Sequence, residues 1–387
     1  MNPTQEPPPP RNPGHPAPRL RRRTILCRVA LGLAIALILG LPLVRQALFR
    51  GPLQTTTALP DSPIIDLHCH AAGIGAGDSG CYVSPALRSN VRFRIYLQAF
   101  GVTEAELQQQ GDRLLLDRLS KTLTGSRHVK AAVVLALDGA VDAQGQLDLR
   151  RTEVYVPNEF IAEGARRHSN LLFGASINPN RPDALQRLDD CARQGAVLVK
   201  WIPSIMDIDP ADPRHIPFYR RMRELGIPLL SHTGLERSFT ASRDELADPS
   251  RLQLPLEQGV TVIAAHAAGG RVAPGRKDFQ ELRELMRRFP NLLADLSALT
   301  QINKPGALET TLADPLLRER VVYGSDFPLI NTALVSAWYF TLNLPLARSR
   351  EIQALPNPWD RDITLKQSLG VPREVFARSA SLLRSSR

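Results

Sequence analysis

Aromatic residues are scarce in this 387-residue chain, at 5%, and acids are nearly missing from its first fifty positions, where Glu6 stands alone. Cysteine is scarce as well. Of Cys27, Cys69, Cys81 and Cys191, the first falls in an apolar run and the second in a strand-like one. That leaves Cys81 and Cys191 as the only pair available for a disulfide, and spacing does not decide whether they meet. Long apolar runs are limited to one, near the N-terminus, which excludes a polytopic membrane protein. With 43% hydrophobic and 22% charged residues, a disordered chain is excluded too. A strongly basic body is also missing, despite a formal net charge of +10. Eight arginines against one acid give residues 1–50 a net charge of +7, while residues 51–387 carry 40 basic and 37 acidic side chains. So nearly neutral a body is not that of a nucleic-acid-binding domain, and no nucleic-acid partner is expected.

What the leader does contain is informative. Eight of the first 18 residues are proline, so residues 1–24 read as an extended, disordered Pro/Arg-rich tail. The cluster Arg19–Arg23 then precedes an apolar stretch, Ile25–Val44, interrupted only by Arg28, which can snorkel. Residues 25–46 are expected to form a single transmembrane helix. No small residue suited to signal cleavage follows closely, so an uncleaved anchor is favoured over a removed signal. The arginines before the span place the N-terminus in the cytoplasm and the body across the membrane, an extracytoplasmic location that would be periplasmic in a bacterium. Residues 47–60 read as a linker.

From residue 61 to 387 short apolar runs alternate with helix-like stretches. The runs are 64–70, 131–138, 171–177, 196–202, 228–232, 260–266, 292–296 and 321–326, and helical spacing lies between several, as at 182–194, 217–225 and 278–289. Eight strand–helix units of this length predict an α/β fold, a (β/α)₈ TIM barrel, with a doubly wound open sheet as the competing architecture. The long interval Ala71–Arg127 predicts extra helices over the end of the first strand, with Gly73–Gly80 as a mobile flap. Gly75-Ala-Gly-Asp-Ser-Gly80 matches the dinucleotide pattern, yet no convincing second strand follows at the right distance, so no cofactor site is assigned to it.

The chemistry lies at the strand ends. In Asp66-Leu-His68-Cys-His70, alternation puts Asp66, His68 and His70 on one face, toward the barrel axis. Two imidazoles one strand repeat apart can hold one metal ion. Later runs close on His232, His266 and Asp326. Their shared position at strand C-termini is where barrel active sites form. His128, His168 and His215 read as structural. Asp295, ending the seventh run, either shapes the pocket or caps its loop.

These segments, Asp66-Leu-His-Cys-His70, His232, His266 and Gly324-Ser-Asp-Phe-Pro328, resemble the amidohydrolase superfamily, and within it the aminocarboxymuconate-semialdehyde decarboxylase-like group. The resemblance runs from about Ile64 to the C-terminus, including Asn357-Pro-Trp-Asp360 and Ala380-Ser-Leu-Leu383, and leaves out the first 60 residues. It implies that His68, His70, His232 and Asp326 bind a divalent ion, zinc first, with manganese or iron as alternatives. Asp326 would also act as base, with His266 assisting at the substrate or the water. Lys200, ending the fourth run, and His266 would provide for a second ion, although one ion is the expectation.

The functional expectation is a metal-dependent hydrolase that uses a metal-bound hydroxide to cleave a C–O or C–N bond of a small organic substrate. A non-oxidative decarboxylase on the same site is the alternative, and a non-catalytic, membrane-tethered binding protein a second one.

Overall fold

The computed structural model describes residues 27–36, 40, 58–236, 238–269 and 277–385. Residues 1–50 and 51–387 form separate units. In the first, residues 27–36 are helical. Half of the expected span over 25–46 lies outside the described residues, and among the described residues no helix is long and apolar enough to cross a membrane.

In the second unit, all eight expected runs become strands: β1 (Ile64–His70), β2 (Val129–Leu135), β3 (Leu171–Ala175), β4 (Leu198–Trp201), β5 (Leu229–Ser231), β6 (Val262–Ala264), β7 (Leu292–Asp295) and β8 (Val321–Val322). They pair in parallel in sequence order. A bridge from Cys69 to Phe327 returns the last strand to the first, aided by hydrogen bonds from His70 N to Phe327 O (2.8 Å) and Asp326 N to His68 O (2.9 Å). The sheet therefore closes as a (β/α)₈ barrel. The open-sheet alternative is set aside.

Two apolar layers follow from strand alternation. Leu67, Val133, Leu135, Leu198, Leu230, Ile263 and Val322 fill the interior, joined by Leu383. Their alternate neighbours, such as Ala132, Val134, Val199, Leu229 and Val262, belong to the larger layer beneath the helices. Those helices bury one stripe each. Leu282, Leu285 and Met286 do so in Lys277–Arg288, and Ala184, Leu188 and Cys191 in Ala184–Arg193.

The interval after β1 carries the predicted extra helices, including α1 (Val91–Phe100) and α2 (Arg113–Thr124). The flap differs from expectation. The fully buried Asp112 carboxylate accepts from Ile74 N and Gly75 N (both 2.9 Å) and from Ser79 Oγ (2.5 Å). Gly73–Gly80 is therefore fastened at its base, because three donors close together are satisfied by one acid.

The C-terminal tail is likewise tied in. Asn357 caps α3 (Pro358–Ser368) by accepting from Trp359 N and Asp360 N. Trp359 is fully buried, stacks on Phe327 at 4.6 Å and donates from Nε1 to Asp66 Oδ2 at 2.8 Å.

Candidate metal centre

Strand β1 does not alternate cleanly. Its register against β2 shifts between Asp66 and Cys69, and the irregularity turns Asp66 away from His68 and His70. Asp66 instead accepts from Trp359, from Ser325 Oγ (2.5 Å) and from Ser325 N (2.9 Å) in the outer layer. Burial raises its pKa to about 6 against those hydrogen bonds. The expectation that Asp66 shares the face of the two histidines is thus corrected. The bulge lets Leu67 enter the interior while both imidazoles still reach the axis.

His68 and His70 bring their Nε2 atoms to 3.1 Å of each other. Asp326 Oδ1 lies 3.3 Å from His70 Nε2 and 3.7 Å from His68 Nε2. Lys200 Nζ stands 3.1 Å from His68 Nε2. His232 lies beside His266, ring centroids 4.9 Å apart, and His266 stacks on His68 at 5.2 Å. The structure therefore gathers all six residues singled out from the sequence. His68, His70 and Asp326 form a tight ligand group, and His232 and His266 flank it.

Asp295 fixes the tautomers. Its Oδ2 accepts from His68 Nδ1 (2.7 Å), and its Oδ1 accepts from His266 N (2.7 Å). Ser297 Oγ donates to the same Oδ1 and accepts from His266 Nδ1 at 2.8 Å. Both imidazoles are thereby protonated at Nδ1 and carry their lone pair at Nε2. A second group, His68, His266 and Asp295, also falls within ligand distances, but its atoms are already engaged in these hydrogen bonds. Glu236 Oε2 faces His232 Nδ1 at 3.5 Å, and His232 Nε2 is buried without a hydrogen-bond partner among the described residues.

Electrostatics agree with ligation. Burial lowers the His68 pKa to about 4, with Lys200 adding to the shift. Burial likewise lowers His232 and His266, so all three are neutral at pH 7. Burial brings the Lys200 ammonium down to about 8. Burial pushes Asp326 up, but the His70 hydrogen bond and the neighbouring His68, His70 and Lys304 side chains outweigh it and hold the carboxyl well below its usual range. Neutral imidazoles with inward lone pairs, an ionised carboxylate and the unpartnered His232 Nε2 fit a divalent ion.

The backbone is bent to aim these groups. His266 and Asp326 have φ of 60° and 65°, and Ala267, Ala268 and Ala298 are also left-handed. Gly324 is the inward residue before Asp326, where a Cβ would come within 2.9 Å of His68 Cβ and 3.2 Å of Asp295 Oδ2.

Two residues at the site escape the sequence reading, Ser297 and Glu236. Ser297 follows Asp295 by two, a spacing that could have flagged it. Glu236 carried no such signal.

The family model described as amidohydrolase matches residues 65–357. The chain belongs to the amidohydrolase family. That is a family of enzymes, and the amidohydrolase match spans seven of the eight strands completely and all six site residues. No curated protein sequence matches this amidohydrolase. Among solved structures it is similar to a TIM-barrel protein from Bordetella bronchiseptica (18% identity, 79% of this chain and 99% of that one, TM-score 0.49). It is also similar to a protein assigned as a 2-pyrone-4,6-dicarboxylic acid hydrolase from Pseudomonas putida (16%, 83% and 97%, TM-score 0.45). A third is the 5-carboxyvanillate decarboxylase of Sphingomonas paucimobilis (13%, 83% and 99%, TM-score 0.42).

Proposed function

We propose that this amidohydrolase is a metal-dependent hydrolase cleaving a C–O or C–N bond next to a carbonyl of a small organic substrate, with one ion held by His68, His70, His232 and Asp326. Zinc is the first choice, and imidazole donors also suit manganese or iron. Such an ion makes a water acidic near neutral pH and polarises a carbonyl. Asp326 then accepts the water's proton and returns it to the leaving nitrogen or oxygen. His266, whose Nδ1 proton is committed to Ser297, offers its Nε2 lone pair as a hydrogen-bond acceptor toward the same water. Lys200, held against His68, serves as a fixed positive charge beside the substrate carbonyl oxygen, and the pair Lys200 and His266 is the place where a second ion would sit.

The observation that carries a metal-dependent reaction is the ligand group of His68, His70 and Asp326, together with the buried His232 Nε2 that has no hydrogen-bond partner among the described residues. The decarboxylase alternative uses the same group, with Asp326 protonating carbon in place of accepting the water's proton. The test is turnover in H₂¹⁸O across a panel of esters, lactones, amides and aromatic acids. The expected result is one ¹⁸O per product molecule, with Asp326→Asn folded and slowed by about 10²–10⁴-fold. Release of CO₂ without ¹⁸O would reverse the assignment to the lyase. A binding-only role would be left if no member of the panel reacts. We further propose that residues 25–46 anchor the enzyme in the membrane with the barrel outside the cytoplasm.

A further inference from the structure

Asp66 is the only acid of β1 and takes no part in the ligand group, yet it is fully buried. Its carboxylate accepts four hydrogen bonds. Oδ1 accepts from His68 N at 3.0 Å and Ser325 N at 2.9 Å, and Oδ2 from Ser325 Oγ at 2.5 Å and Trp359 Nε1 at 2.8 Å. Ser325 Oγ, whose proton goes to Asp66, accepts in turn from Phe327 N at 2.9 Å. Between them, Asp326 N donates to His68 O at 2.9 Å. Three consecutive amides, Ser325 to Phe327, are thus tied to the short segment from Asp66 to His68.

The residue they enclose needs such a hold. Asp326 has φ of 65°, a left-handed conformation that a non-glycine residue keeps only where its surroundings impose it. From this turn its Oδ1 meets His70 Nε2 at 3.3 Å and His68 Nε2 at 3.7 Å. Helix α3 supports the same turn from outside. Trp359, Asp362 and Lys366, spaced three and four apart, share one face of it, and all three are buried. Trp359 stacks on Phe327 at 4.6 Å. Asp362 accepts from Tyr323 Oη at 2.9 Å and from Lys366 Nζ at 2.7 Å, and Lys366 Nζ also donates to Gly324 O at 3.4 Å.

We propose that Asp66 is a positioning residue for Asp326. It clamps the left-handed turn after β8, so that the Asp326 carboxylate stays within reach of both β1 histidines. All four partners of Asp66 are donors, and two carboxylate oxygens satisfy them all. An amide in its place would turn an N–H toward another donor and leave that donor buried without an acceptor. The inference rests on the reading of Asp326 as a metal ligand and holds for hydrolysis and decarboxylation alike.

The probe is metal alone, on the full chain. Zinc affinity is measured against a chromophoric chelator, and the cobalt(II)-loaded chain gives visible d–d bands that report ligand geometry. Asp66→Asn is expected to bind zinc about 10–100-fold more weakly and to shift the cobalt bands. Ser325→Ala removes the hydroxyl that links Asp66 to Phe327 N and should move both readouts the same way. It decides the matter if Asp66→Asn does not fold. Leu188→Ala, at a buried position in the helix Ala184–Arg193, supplies the comparison for lost stability alone. Its melting temperature should fall while zinc affinity and cobalt bands stay as in the wild type. Wild-type affinity and bands in the folded variants overturn the proposal, as does a change that Leu188→Ala reproduces. A wild-type chain that binds neither ion overturns the metal reading and this inference with it, whereas a failure of the hydrolase reading shows only in the ¹⁸O experiment.

Discussion

At the scale of single residues, the centre depends on positions that look unremarkable in the sequence. Gly324 is the sharpest case. It is the inward residue between Val322 and Asp326, and any side chain there would meet the His68–Asp295 pair. Gly324→Ala is expected to keep the fold and weaken zinc affinity by about 10–100-fold, as displacing the acid that orients a histidine ligand does. Competition with a chromophoric chelator measures this, and wild-type affinity in the variant would show that the pair tolerates the shift. His68, His70, Lys200, His232, His266 and Asp326 were legible because each ends or lies in an apolar run. Asp66 was misread, since strand alternation assumes an even ladder and β1 shifts register within the motif itself. Glu236 was not legible. Its place beside His232 comes from a loop, and no periodicity marks such positions.

At the scale of elements, all eight strands and the helices expected at 182–194, 217–225 and 278–289 follow from alternation and stripe spacing, with ends off by a few residues. The loops follow less well. Gly73–Gly80 has the composition of a mobile segment, but Asp112, placed just before α2, spends its carboxylate on that segment and makes no capping bond to its own helix. A long-range bond of this kind cannot be read from local composition. Asp112→Ala leaves two amides and a hydroxyl without their acceptor and is expected to cost about 1–3 kcal/mol of stability. Pulse proteolysis should show faster cutting between residues 73 and 81, and an unchanged cleavage rate would mean that the loop is held by other contacts. Asn357-Pro-Trp-Asp360 illustrates the opposite case. The segment enters the sequence reading only through the resemblance, yet its Asn cap and Pro at the first helical turn are local signals of a helix start, and that helix carries Trp359 to the outer side of β1.

At the scale of the whole molecule, charge and chemistry are kept apart. Seven of the ten net positive charges lie in residues 1–50, a unit separate from the barrel. The barrel's candidate metal centre gathers a few inward groups at one end of the strands. If the leader is an anchor, the full chain should remain with membranes through alkaline carbonate extraction and a chain beginning at residue 58 should not. Release of the full chain would instead mark the leader as no more than a charged tail. The account as a whole stands on the ion. Metal content of the purified full chain, prepared without chelators and read by mass spectrometry, tests that most directly. The prediction is one divalent ion per chain, falling to background in a His68→Ala, His70→Ala double variant that remains folded. A wild-type chain that turns over substrate with no bound ion would contradict it.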